Sequence, residues 1–187
     1  MVAIPPQMDM LKSIPQSHKN MKNNAQIPPE IMERIHSLLN EDTAEWNMNE
    51  KNIMYQALRE KYGPEVDKII AEKIGQRTFN TFKEISKLLN DDSLETFMHL
   101  LFDPLPEMGW KMEEKNEDGK YYRTITYCPK CEMAKKLGAE KLMYLLACCT
   151  DHYSSKGFNK DICFTRNQTL MEGDSCCDFC FYLKHKQ

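Results

Sequence analysis

Apolar residues recur at helical spacing through the first half of the chain. Four segments show this spacing, and Gly63 and Pro64 separate the second from the third. They cover residues 27–40, 49–63, 64–90 and 92–105. Asp92 or Ser93 is the expected N-cap of the last segment, because its short polar side chain precedes an apolar run. The pattern predicts a helical part that extends from residue 27 to residue 105.

The period changes after Pro106, where apolar and polar residues begin to alternate. The stretches "WKMEEK" and "KYYRTITYC" flank the turn "NEDG" and predict a β-hairpin. A second predicted hairpin joins "DICFTRNQTL" to "SCCDFCFYLK" through a tight turn at "MEGD". The helical stretch between the hairpins is "PKCEMAKKLGAEKLMYLLACC", in which Gly138 marks a kink or a break.

These elements predict an α+β fold with a helical N-terminal half packed on an antiparallel β-sheet that carries an inserted long helix. Residues 1–26 are polar and contain Pro5, Pro6 and Pro15, so we expect a flexible or extended arm. The sharper alternative is that this arm docks onto a second copy of the chain in a homo-oligomer. Residues 27–187 then form a single domain, helical over 27–105 and sheet-containing and Cys-rich over 106–187.

Composition excludes several classes of protein. Of 187 residues, 41% are hydrophobic and 28% charged, with a formal net charge of -3. No block of Lys and Arg indicates nucleic-acid binding, and no apolar run is long enough to span a bilayer. The amino terminus lacks the apolar core of a signal peptide. All eight cysteines follow Tyr127, and two pairs of them are adjacent, which is awkward for structural disulfides. We therefore expect a cytoplasmic protein with reduced thiols and a small-molecule partner.

Two Cys-x-x-Cys pairs suggest zinc. They are Cys128 with Cys131 and Cys177 with Cys180. In a strand, residues three apart point to opposite faces, so Cys177 is expected on the core side and Cys180 on the other. This geometry disfavours a four-thiolate zinc site, but it leaves open a metal site that uses some of these thiols.

Three cysteines are candidates for chemistry. Cys128 precedes Pro129 at the start of a predicted helix, where the helix dipole lowers the pKa of a thiol; a packed or capping cysteine is the equal alternative. Cys148 lies at the carboxyl end of a predicted helix, where the dipole disfavours a thiolate, and it needs another group to activate it. Asp151 and His152 are close behind and are suited to acid–base work. For Cys148 a plain packing role is the alternative.

Arg166 is predicted to point inward, because it follows Ile162 and Phe164 in the alternation of its strand. A buried guanidinium needs a negative partner. Asp151, Asp178 or the carboxylate of a substrate could supply it.

The last third of the chain resembles the L-2-amino-thiazoline-4-carboxylic acid hydrolase family. The resemblance covers residues 50–184 approximately, and it is carried by "TYCP", Cys148 with Asp151, "GFN" and "FTRNQTLMEGDSCCDF". It implies a hydrolase that opens a C–N bond in a small cyclic amidine or thiazoline, by analogy with a family activity that gives N-carbamoyl-L-cysteine.

The resemblance also implies roles for residues. Cys148 is the nucleophile or a metal ligand and Asp151 the acid–base or positioning group, while Arg166 holds a substrate carboxylate. Cys128 and Cys177 line the pocket or complete a metal site, and the dipole argument makes Cys128 the alternative thiolate. His152 is a further candidate for substrate contact. The cofactor stays open, with zinc or another metal bound by Cys128, Cys148 and Cys177 as the metal-dependent version.

The ending "EGDSCCDF" is also similar to the tail of four-vinyl-reductase-type domains. These are α+β modules, some of which hold zinc through cysteines in this region. This second similarity implies the alternative function, a non-catalytic module that binds a small ligand or a metal.

Overall fold

Three helices form from the first half of the chain in the structure, a computed structural model that describes residues 43–184, with side chains from residue 47 onward. They are α1 (Thr43–Tyr62), α2 (Glu65–Leu89) and α3 (Leu94–Phe102). The second, third and fourth helical segments of the sequence pattern are thereby confirmed. The predicted helix at 27–40 and the arm at 1–26 lie outside the described residues.

The helix ends follow from local chemistry. Gly63 adopts a φ of 74°, which a residue with a Cβ rarely tolerates, and so lets the chain reverse between α1 and α2. Ser93 is the N-cap of α3, and its hydroxyl accepts a hydrogen bond from the Thr96 amide at 3.2 Å. The cap satisfies one of the free N–H groups of the first turn.

Ser93→Ala should lower the free energy of unfolding by about 1 kcal/mol, because the Thr96 amide loses its acceptor. Urea denaturation followed by circular dichroism measures the change. Ser86→Ala is the matched control: this exposed hydroxyl lies inside α2 and bonds only the Lys83 carbonyl among the described residues, at 3.1 Å. Equal effects of the two substitutions would contradict the capping role.

The sheet is antiparallel and has the strand order β1-β2-β4-β3. Its first hairpin joins β1 (Lys111–Glu117) to β2 (Lys120–Tyr127). Asp118 and Gly119 form the turn, with φ of 51° and 72°. The predicted first hairpin is confirmed, and so is the α+β class.

The second hairpin differs from the predicted one. Strand β3 (Ile162–Thr165) pairs with β4 (Cys177–Leu183), but the chain leaves the sheet after Thr165 and returns only at Cys177. The Asp178 carboxylate accepts hydrogen bonds from the amides of Asn167 and Gln168 at 2.8 and 2.6 Å. These bonds replace the sheet pairing of both residues, so a longer connection takes the place of a tight turn.

The insertion between the hairpins consists of several short elements. It contains α4 (Pro129–Leu137), α5 (Glu140–Leu146), a 3₁₀ turn at Cys148–Thr150 and α6 (Asp151–Phe158). Gly138 has a φ of 58° and ends α4, so it marks a break rather than a kink. Asn52 of α1 donates hydrogen bonds to the carbonyls of Leu137 and Gly138, at 3.3 and 3.2 Å, which ties α1 to this break.

Two apolar clusters make up the core of the described part. One packs among the helices, around Leu142 and Met143. The other lies under the sheet, where Phe97, Phe179 and Phe181 meet. Cys128 packs against both clusters, so it lies where the two meet. None of the described helices has the length and apolar character needed to cross a membrane.

Candidate active site

A cavity of about 320 Å³ opens where the two core clusters meet, a size suited to a small molecule. Five of the residues predicted from sequence line it: Cys128, Cys148, Asp151, Arg166 and Cys177. Most of the remaining wall is apolar. It is formed by Leu101, Phe102, Leu105, Trp110, Ile125, Leu146, Ala147, Met171 and Phe179, together with Lys130 and Thr150.

Arg166 is the cation at the closed side of the cavity. Its side chain is only 7% exposed, although β3 ends one residue earlier. One Nη atom donates to the Asp151 carboxylate, and the other donates to the Cys148 carbonyl at 3.0 Å. The guanidinium carbon lies 5.7 and 5.3 Å from the ring centroids of Phe164 and Phe179. Of the partners that the sequence left open, the structure shows Asp151.

Asp151 is the first residue of α6 and shares the cavity wall with Arg166. Burial raises the pKa of its carboxyl to about 6, and the charge and hydrogen bond of Arg166 oppose this rise. The carboxylate is therefore ionised at neutral pH and gains a proton in mildly acidic solution. A carboxyl group with this pKa is suited to general acid–base catalysis.

Cys148 and Cys177 are held as neutral thiols. Burial raises the pKa of Cys148 to about 12, and the nearby Asp151 charge adds to the rise. Burial likewise raises the pKa of Cys177 to about 11. The sequence placed Cys148 at a helix end, but α5 stops at Leu146 and Cys148 begins a 3₁₀ turn, so burial dominates the helix dipole there.

Cys177 also has a structural partner. Its sulfur accepts a hydrogen bond from the Leu170 amide at 3.3 Å, and the Cys131 thiol donates to the Leu170 carbonyl at the same distance. The two thiols thus hold the backbone on both sides of Leu170, in the connection between β3 and β4. Cys177 lies on the core face with Phe179, as the alternation predicted.

Cys128 is the N-cap of α4, with Pro129 as the first helical residue, as predicted. Its carbonyl accepts hydrogen bonds from the amides of Cys131 and Glu132 at 3.0 and 3.1 Å. Its thiol makes no capping hydrogen bond. The sulfur therefore borders the cavity at the beginning of a nine-residue helix without being used as a cap.

His152 is the candidate that the structure leaves outside the cavity wall. It is exposed on α6, and its ring contacts that of Tyr153 at 6.1 Å between centroids. Asp178, an alternative partner of Arg166 in the sequence, instead accepts the amides of Asn167 and Gln168. Its role is to shape the connection that carries Arg166.

The described side chains of the cavity are not arranged as a metal site. Between residues 43 and 184, no group of three or more His, Cys, Asp or Glu side chains is arranged so that it could hold one. These residues do not fit a thiolate-bound metal in the arrangement seen.

Trp110 and Lys130 line the cavity but were not predicted from the sequence as site residues. Trp110 directly precedes β1, and Lys130 is the second residue of α4. Lys130 carried a usable signal: it follows Cys128 and Pro129, so any pocket at the N-cap of α4 is expected to have this lysine at its rim.

Comparison with known proteins supplies one match. The family model described as L-2-amino-thiazoline-4-carboxylic acid hydrolase matches residues 44–181, which is well over half of the chain. The matched span includes every cavity residue named above. A comparison with curated proteins found none that matches the chain.

Proposed function

The chain belongs to the L-2-amino-thiazoline-4-carboxylic acid hydrolase family, and we propose that it opens a small cyclic amidine or thiazoline by hydrolysis inside the cavity. One observation carries the proposal. A single cavity brings together the Cys128 thiol and the ion pair of Asp151 and Arg166 beside an apolar wall. A nucleophile and an acid–base group thus face a space that fits a five-membered ring.

The chemistry needs an electrophilic carbon, which such a ring supplies. The carbon between the heteroatoms of an amidine becomes electrophilic once the ring nitrogen is protonated. Asp151 is suited to exchange this proton, because its carboxyl has a pKa near neutrality. Arg166 keeps the carboxylate in place through one Nη donor, while the other Nη atom donates to the Cys148 carbonyl and fixes the guanidinium. Apolar walls exclude bulk water and strengthen these charge interactions.

Cys128 is the better supported of the two candidate nucleophiles. Burial and the Asp151 charge hold the pKa of the Cys148 thiol far above that of the Asp151 carboxyl, so Asp151 is a poor acceptor for the Cys148 proton. Cys128 lies at the positive end of α4 and borders the same cavity. We therefore assign the attack to Cys128 and a place in the pocket wall to Cys148.

The proposed reaction has two steps. The Asp151 carboxylate takes the proton of the Cys128 thiol as the sulfur bonds to the amidine carbon, one ring bond of that carbon breaks, and Asp151 passes this proton to the departing heteroatom. Water then adds to the same carbon while Asp151 accepts its proton, and the Cys128 sulfur leaves and takes this proton back. The net reaction consumes one water.

The bond that breaks depends on the ring. In an all-nitrogen cyclic amidine a C–N bond breaks. In a 2-amino-thiazoline, formation of an N-carbamoyl product requires the ring C–S bond to break and a thiol to appear. The attacked carbon and the protein groups are the same in both cases.

A substrate panel tests the proposal. Purified protein, reduced before use, is incubated with 2-amino-thiazoline-4-carboxylate, its decarboxylated analogue and all-nitrogen cyclic amidines, and products gaining one water are followed by mass spectrometry. We expect multiple turnovers of at least one compound. Binding of these compounds without turnover would contradict the proposal and favour the non-catalytic binding module.

The pH dependence of turnover follows from Asp151. Because the ionised carboxylate is the form that accepts the Cys128 proton in the first step, kcat/KM should rise with pH through about 6, the pKa of the Asp151 carboxyl, and level off above it. Asp151→Asn should reduce kcat/KM by roughly a hundredfold and abolish the rise of kcat/KM with pH. An unchanged acidic limb in Asp151→Asn would assign the titration to another group.

A further inference from the structure

Lys130 is a solvent-exposed cation in the cavity wall, and its charge acts together with that of Arg166 against the rise that burial causes in the pKa of the Asp151 carboxyl. It is exposed, lies in the first turn of α4, and belongs to the cavity lining. Its Nζ atom is 5.8 Å from the ring centroid of Trp110, another lining residue. Within the described part of the chain, the ammonium group has no carboxylate within ion-pair distance. The aromatic contact orients the side chain without neutralising its charge.

The charged side chains of the cavity wall do not balance one another. Its described ionisable side chains, apart from the thiols, are Asp151, Arg166 and Lys130. The opposite charges of Asp151 and Arg166 cancel in a direct ion pair, and Arg166 also donates a hydrogen bond to the Cys148 carbonyl. The cavity therefore carries one net positive charge at neutral pH, and that charge is on Lys130.

We propose that Lys130, held against Trp110, binds the carboxylate of the substrate and selects acidic rings over neutral ones. This inference rests on the proposed hydrolysis, and it assigns to Lys130 the carboxylate contact that the family resemblance implied for Arg166. The carboxylate lies at the open side of the cavity, and the amidine carbon points inward to Cys128 and Asp151. Neutral cyclic amidines enter the same cavity but lack this contact.

The test compares acidic and neutral substrates in a set of variants. Lys130→Met should raise KM for 2-amino-thiazoline-4-carboxylate roughly tenfold, with little change in kcat, and leave KM for the decarboxylated analogue unchanged. Lys130→Arg should restore most of the affinity for the acidic ring. Lys135→Met is the matched control, because Lys135 lies on the same helix, pairs with Glu132 at 3.3 Å and is outside the cavity wall.

A binding measurement keeps this inference separate from the proposed reaction. Trp110 in the cavity wall reports occupancy by fluorescence, and Cys128→Ser protein is titrated with both rings, with and without Lys130→Met. The acidic ring should lose roughly tenfold in affinity and the neutral ring none. Equal losses for both rings, or no loss for either, would overturn the role of Lys130. Absence of turnover in wild-type protein, with the selective loss present, would overturn the reaction alone.

Discussion

Cys128→Ser should reduce turnover of the best panel substrate by roughly a thousandfold or more, because a serine hydroxyl at this position is a far weaker nucleophile than the cysteine sulfur. Cys148→Ser should change turnover by less than about tenfold, because burial keeps the Cys148 thiol protonated and the substitution preserves its size. Steady-state kinetics on the two variants measures both effects. Circular dichroism confirms that each variant is folded.

Cys149→Ser is the matched control for these substitutions. Cys149 neighbours Cys148 but lies outside the cavity wall, where its thiol donates to the Leu145 carbonyl at 3.0 Å. Turnover by this variant should equal that of the wild type. A thousandfold loss in Cys148→Ser, with activity retained in Cys128→Ser, would exchange the two roles. Full activity in both would exclude a thiol nucleophile and leave water activated by Asp151.

The helices, strands and turns could be predicted from the sequence where a few adjacent residues determine them. The cap at Ser93, the Cys128–Pro129 start of α4 and the Asp118–Gly119 turn each depend on a few adjacent residues. Apolar spacing in α2 and alternation in β4 are equally local, and both were predicted. The α+β class follows from these elements.

The connection after β3 could not be read in this way. The alternation through Arg166 predicted a continued strand, but Asp178, ten or more residues away in the chain, captures the amides of Asn167 and Gln168. The local sequence around Asn167 and Gln168 is compatible both with a continued strand and with a loop whose amides bind a distant carboxylate. Arg166 points inward although the strand ends before it, because its guanidinium pairs with the Asp151 carboxylate.

The electrostatics of the thiols depended on tertiary packing. From sequence, Cys148 was placed at a helix end, where a neighbouring group would have to activate it. The structure places it in a turn between α5 and α6, where burial and Asp151 both raise the pKa of its thiol. Lys130 and Trp110 were missed for a related reason, since twenty residues separate them in the chain and only the fold brings them to one wall.

Gly157→Ala should lower the free energy of unfolding by about 3 kcal/mol. Gly157 is the point at which α6 crosses α2, and a Cβ there would lie 2.3 Å from the Phe79 carbonyl oxygen and 2.9 Å from its Cα. These are backbone atoms inside α2, so the clash is relieved only if the two helices separate. Since α6 begins at Asp151, the separation should also reduce turnover. Urea denaturation followed by circular dichroism measures the loss of stability.

Gly75→Ala is the comparison that isolates this contact. It lies in α2 at the same crossing, but its Cβ would meet the Tyr153 ring, with Cε2 at 2.5 Å. A half-buried side chain can rotate away, so this variant should lose less stability than Gly157→Ala. Alanine also favours a helix over glycine by about 1 kcal/mol at both sites, which offsets part of each loss. If Gly157→Ala were as stable as the wild type, helix propensity would outweigh the contact, and α2 and α6 could not pack as closely as the structure shows.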